Sequence, residues 1–182
     1  MATTLTEGQK APAFSSKDQN GNKVSLSDFK GKKVVLYFYP EDDTPTCTEQ
    51  ACNLRDNFSL LKNEGIVVLG VSPDDEKKHK KFENKFHLPF TLIADPKHSI
   101  IDKYGVWGPK VMFGNHYMGL HRTTFLIDEK AVIKKIFLKP RSKQHTEEIL
   151  KAWKETLLPF WSLLLNAGAF CPSVNVVAIV MP

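Results

Sequence analysis

The sequence predicts an α/β protein with a mixed central sheet. Two near-continuous β-branched and aromatic runs, "KKVVLYFY" (32–39) and "GIVVLGVSP" (65–73), have the pattern of strands buried on both faces. Helical patterns alternate with these runs along the chain. Near the end, "RTTFLIDEKAVIKKIFL" (122–138) reads as a hairpin turning at "DEKA".

The elements follow in order. "APAFSSKDQNGNKVSLSDFKGKK" (11–33) holds two short alternating pieces joined at "NGN", an N-terminal hairpin. After the first core strand, Ala51, Leu54, Phe58 and Leu61 recur at three- and four-residue spacings, which predicts a helix from Thr46 or Cys47 to about Asn63. Residues 74–86 read as a charged surface helix, "FTLIADP" (90–96) as a strand and "KHSIIDKYGV" (97–106) as a short helix. "KQHTEEILKAWKETLL" (143–158) is an amphipathic helix. Strand, helix, strand, helix, strand, hairpin and last helix fit a thioredoxin-like core with a hairpin extension. Residues 105–121, "GVWGPKVMFGNHYMGLH", hold four glycines, two methionines and three aromatics, and are expected to form an irregular loop packed by its own side chains, with a lid or partner surface near the active site as the sharper alternative.

At 182 residues, with 42% apolar and 25% charged content, the chain is expected to be one globular domain over residues 1–157, followed by an apolar segment, 158–182. The formal charge of +5 sits mainly in "DDEKKHKKFENK" (74–85) and "KAVIKK" (130–135). Both runs are interleaved with acids or apolar residues, so they read as a solvated helix face and a hairpin rather than a nucleic-acid surface. "MATTLTEGQKAPAF" lacks a basic stretch followed by an apolar one, so no secretory leader is expected and the cytoplasm is the expected location. The final 27 residues carry no charge. Asn166, Gly168, Pro172, Ser173 and Asn175 interrupt them, which argues against a membrane span; an appendage dispensable for catalysis is favoured over self-association.

Chemistry concentrates in "PEDDTPTCTEQAC" (40–52). Three cysteines make no disulfide framework, and in a reducing compartment a close pair is more often catalytic, redox-sensing or metal-binding. There is no C-x-x-C, and two cysteines five apart without clustered histidines make a weak zinc site, so neither metal nor cofactor is expected. Cys47 in the first turn of a helix faces unpaired backbone N–H groups and the positive end of the helix dipole, which favour a thiolate. Thr44 is placed to donate its hydroxyl to the sulfur or to a substrate oxygen. Pro40 and Pro45 constrain the loop. Glu41, Asp42 and Asp43 would oppose a thiolate, so a cation is needed. Arg122 is the candidate, although an arginine at a strand end is also commonly just solvated.

Cys52 lies five residues on, about 7.5 Å along an α-helix and on another face, beyond the roughly 7 Å Cα limit for bridging. A disulfide between the two requires the first turns to unwind. As a plain structural residue Cys52 would be a small buried apolar side chain. These parts suit peroxide-driven thiol oxidation or another thiol redox role.

"YPEDDTPTCTEQACNLRDNF" (39–58) closely resembles the active-site segment of peroxiredoxins, in particular the bacterioferritin comigratory protein (peroxiredoxin Q) subfamily. Pro40, Thr44 and Cys47 match the family's Pro-x-x-x-Thr-x-x-Cys, Cys52 matches the subfamily's resolving cysteine, and "RTTFLID" resembles the segment bearing the active-site arginine, here Arg122. The similarity spans about Gly8 to Lys154. It implies a monomeric thiol peroxidase that reduces hydrogen peroxide and organic hydroperoxides and is recharged by thioredoxin or a similar dithiol. Two positions depart from the family pattern: Thr46 stands where glycine is usual, and Gln50 where glutamate is usual. A redox-regulated binding or holdase module, or a thiol–disulfide oxidoreductase on the same fold, are the alternatives.

Overall fold

The computed structural model describes residues 3–112 and 114–155. Its first two strands, β1 (Ser15–Asp18) and β2 (Lys23–Ser25), form the expected N-terminal hairpin. Next come β3 (Lys33–Phe38), α1 (Pro45–Asp56), α2 (Phe58–Asn63), β4 (Ile66–Ser72), α3 (Glu76–Phe86), β5 (Thr91–Ala94) and α4 (Ser99–Lys103). The chain continues through β6 (Trp107–Met112), β7 (Asn115–Leu120), β8 (Thr123–Ile127) and β9 (Ile133–Phe137) to α5 (His145–Glu155).

Seven strands make one sheet in the order β2-β1-β5-β4-β3-β8-β9. β3, β4 and β5 run parallel, while β8, β9 and the N-terminal hairpin are antiparallel additions, so the sheet is mixed. The lack of alternation in β3 has a direct cause. Val34, Leu36 and Phe38 pack on one face with Phe14, Ile101, Tyr104 and Phe125. Val35, Tyr37 and Tyr39 pack on the other with Leu54, Leu61, Phe82 and Trp153. Neighbouring side chains point to opposite faces, and both faces are covered. Across the ladder Tyr37 lies against Gly70, where a Cβ would come within 2.7 Å of the tyrosine ring, so this strand interior requires glycine.

Two expectations are corrected. The helical pattern from residue 46 to 63 forms two helices, broken at Asn57. Its side-chain amide donates to the Asn53 carbonyl (2.9 Å) and competes there with the backbone ladder. Residues 105–121 are not irregular: β6 and β7 pair as an antiparallel ribbon with Gly114, at a φ of 81°, in its turn. The strands, WGPKVM and NHYMGL, show no apolar–polar alternation, so periodicity gives no strand signal there. The apolar segment 158–182, with Cys171, lies outside the described residues.

Candidate active site

The register of β3 against β8 builds the site. The two strands are antiparallel, with Phe38 opposite Thr123. The loop that leaves β3 therefore emerges beside the residue that precedes β8, which is Arg122. α1 then starts immediately: Thr44 is its N-cap, Pro45 opens it, and Cys47 falls in the first turn.

Cys47 is 2% exposed and Gln50, one turn on, is fully buried. The half-buried Arg122 joins them. Its Nη2 donates to Cys47 Sγ at 3.1 Å, and its Nη1 donates to Gln50 Oε1. Among the described residues no carboxylate pairs with Arg122, so its positive charge faces the cysteine sulfur and a neutral amide. Gln50 Nε2 has no partner among the described residues.

Of the two acceptors expected for Thr44, the sulfur is not the one it takes here: its hydroxyl donates to the Glu41 carbonyl (3.1 Å). The loop's own tight turn provides that acceptor, and Thr44 thereby closes the segment ahead of the helix. Pro40 is half-buried at the exit of β3. Cys52 lies on the far side of α1, partly exposed, and both cysteines are free thiols on an intact helix.

The three acids of the loop are each engaged away from the sulfur. Glu41 pairs with Lys78 (2.8 Å) and Asp43 with Lys85 (2.6 Å). Asp42 turns inward and is 3% exposed. Its Oδ1 accepts from the Tyr39 hydroxyl and its Oδ2 bonds His79 Nδ1, both at 2.7 Å. Burial pushes the Tyr39 phenol well above its usual range, with Tyr37 and Asp42 adding to it, so the hydroxyl remains a donor.

His79 and Tyr39 were not singled out from sequence. The run 74–85 looked like a uniformly solvated face, whereas His79 is fully buried on α3. The legible signal was spacing: His79, Phe82 and Phe86 share one stripe at three- and four-residue intervals.

A cavity of about 570 Å³ opens beside Arg122, lined by Thr46, Lys110, His121, Leu138, Lys139, Pro140 and Ser142. A larger one, about 820 Å³, lies at the opposite end of the parallel strands, where Lys33, Ile66 and Thr91 begin them. It is remote from the thiol.

A thioredoxin-like sheet that places a buried, arginine-bound cysteine in the first turn of a helix defines the class: a thiol-dependent enzyme of peroxiredoxin type. The chain belongs to the AhpC/TSA family, whose sequence profile matches residues 7–136. It is 49% identical over 147 residues to a putative peroxiredoxin bcp of Coxiella burnetii, a match covering 81% of this chain and 97% of that one. To peroxiredoxin Bcp of Bacillus subtilis it is 45% identical over 152 residues, covering 84% and 97%. Among solved structures it resembles the bacterioferritin comigratory protein of Xanthomonas campestris, described for its alkyl peroxide reduction activity. That match has a TM-score of 0.75 and 26% identity, and covers 85% of this chain and 98% of the other.

Proposed function

We propose that this thiol-dependent peroxidase reduces hydrogen peroxide and organic hydroperoxides, with Cys47 as the attacking thiolate and Cys52 as the resolving thiol. The observation that carries the reading is the Arg122–Cys47 hydrogen bond at the helix start. The thiolate sulfur attacks one peroxide oxygen, the O–O bond breaks, and the departing oxygen leaves as water or an alcohol after taking up a proton. Cys47 is thereby oxidised by two electrons to a sulfenic acid. Arg122 can meet the negative charge that grows on the departing oxygen while it holds the sulfur. The adjoining cavity, with the apolar Leu138 and Pro140 among its walls, has room for an alkyl group.

The Cys52 thiolate next attacks the sulfenic sulfur, an S–S bond forms as the S–O bond breaks, and the departing hydroxide takes up a proton from solvent to leave as water. A thioredoxin-like dithiol returns two electrons and two protons by thiol–disulfide exchange. Monomeric, cytoplasmic action with 1–157 as the catalytic unit completes the proposal.

The test is hydroperoxide consumption coupled to a thioredoxin system. Cys47→Ser should abolish turnover, while Cys52→Ser should still form the sulfenic acid. A protein that reduces disulfides with no peroxide consumed is instead an oxidoreductase, and one inert to peroxide but able to hold unfolded clients is a binding module.

A further inference from the structure

The β3–α1 loop is held almost entirely by α3 and the residues that lead into it. Asp74 Oδ2 accepts from the Asp42 backbone N–H at 2.7 Å and from the Ser72 hydroxyl at 3.1 Å, and its other oxygen pairs with Lys78 at 2.8 Å. Lys78 and Lys85 take Glu41 and Asp43 at the surface, where such pairs contribute little. The buried contact is different. Asp42 has both carboxylate oxygens occupied, by Tyr39 and by His79, and the other nitrogen of His79 lies 3.2 Å from the Ile93 carbonyl on β5. The ring thus bolts the loop to the sheet through two elements.

Beyond Asp42 the chain changes character. Asp43 takes a left-handed φ of 59°, Thr44, Pro45 and Thr46 are at least partly exposed, and Cys47 is again buried. A second fixed point follows Cys52. Asn53 Oδ1 accepts from the Thr146 backbone N–H (2.9 Å) and its Nδ2 donates to the Lys143 carbonyl (2.8 Å), which ties α1 to the start of α5. Both cysteines lie between these two anchors.

Resting on the peroxidase reading above, we propose that His79 is a positioning residue for the peroxide reaction: through Asp42 and Tyr39 it fixes the last immobile point of the chain before the turn that carries Cys47. It touches neither substrate nor sulfur. Its effect is to favour the intact first turn of α1, in which the sulfur meets Arg122, over the unwound state in which Cys47 reaches Cys52. Loss of the anchor should slow the first step and hasten the second. A residue that only contributed to stability would not move the two in opposite directions.

The experiment follows a single turnover of the reduced full-length chain with hydrogen peroxide, quenched by thiol alkylation and read by mass spectrometry. It yields one rate constant for Cys47 oxidation and one for disulfide formation. H79L should lower the first about tenfold or more and raise the second several-fold. H79N, which keeps one donor for Asp42, should recover most of the first. Y39F removes one bond from Asp42, leaves the ring in place, and should act in the same direction by about threefold. Because H79L leaves a buried carboxylate short of a partner and can fail to fold, H79N and Y39F then decide the matter. Wild-type values for both rate constants in these variants, or a parallel fall in both, would overturn the inference. Absence of a Cys47 sulfenic acid in the wild-type protein would instead overturn the peroxidase reading.

Discussion

Arg122 and Cys47, 75 positions apart in the chain, meet at 3.1 Å because β3 and β8 pair antiparallel and end together. The contact is supplied by strand register rather than by a flexible side chain searching for a partner. Arg122→Ala should therefore lower the rate of Cys47 oxidation by about two orders of magnitude, the range seen when one transition-state donor is lost. Arg122→Lys should recover little, since a single ammonium cannot serve both the sulfur and Gln50 as two guanidinium nitrogens do. Stopped-flow peroxide reaction of the folded variants checks both, and an alanine variant as fast as wild type would sink the assignment.

Gln50 offers a second test of the same cluster. It is fully buried and its Oε1 accepts from Arg122 Nη1. Gln50→Leu conserves bulk but removes the acceptor, leaving a donor unpaired at a cost of about 1–3 kcal/mol. We expect a lower melting temperature and a slower first oxidation, with disulfide formation affected less. Thermal unfolding and single-turnover kinetics on the same sample measure both. A variant as stable and as fast as wild type would show that Arg122 holds its place without Gln50.

Most of the framework could be read from the sequence, and the gaps have physical causes. β3 and β4 declared themselves because burial on both faces leaves no alternation to misread. Cys47 and its helix start were legible from the proline and threonine placed ahead of them. The partner of Thr44 was not, because a hydroxyl rotates to whichever acceptor the loop presents, here the Glu41 carbonyl. His79 was hidden by composition: eight charged neighbours within five residues on either side outweigh one buried ring in any window average. Nor does local sequence show that Asp42 turns inward while Glu41 and Asp43 turn out. That depends on α3, more than thirty residues away.

Formation of the Cys47–Cys52 disulfide should open α1 locally. The two residues sit about 7.5 Å apart along the helix axis on different faces, so the bond cannot close on an intact α1. Amide exchange over residues 45–52 should accelerate in the oxidised protein, while the Asp42 amide, held by Asp74, and the Thr146 amide, held by the Asn53 side chain, should keep their protection. Hydrogen–deuterium exchange on reduced and peroxide-treated samples distinguishes this from a rigid helix, for which protection would match in the two states.

His145 predicts a pH dependence of stability. It is fully buried, shares hydrogen bonds with Thr124 Oγ1 (2.9 Å) and Glu148 Oε2 (3.2 Å), and burial lowers its pKa from 6.5 to about 4 despite Glu148. The folded-state value is the lower one, so below pH 6.5 the unfolded chain takes up a proton that the folded chain refuses. Stability should fall as pH drops from about 6.5 to about 4 and this contribution should level off below that, with a span on the order of 3 kcal/mol at most. Denaturant titrations across this window test it, with His145→Asn expected to flatten the slope. An unchanged slope in that variant would assign the acid sensitivity to the carboxylates instead.

The apolar segment 158–182 should be dispensable for the chemistry. Among the described residues, every hydrogen-bond partner of the Cys47 sulfur and of the Asp42 and Asn53 side chains lies between Tyr39 and Thr146. Matches to relatives take in nearly the whole of each relative while leaving part of this chain uncovered. The segment carries no charge and includes Cys171, which gives it two ways to act on the rest of the molecule: apolar association, and a third thiol able to intercept the Cys47 sulfenic acid. Deleting residues 158–182 should leave the rate of Cys47 oxidation within about twofold of the full chain, since the arginine, the helix start and both anchors remain. Solubility and oligomeric state, measured by light scattering, are where a difference should appear, and Cys171→Ser in the full chain should remove any mixed disulfide without altering the Cys47–Cys52 bond. Loss of peroxide turnover in a truncated protein that keeps its melting temperature would place the segment in the active site and refute the prediction.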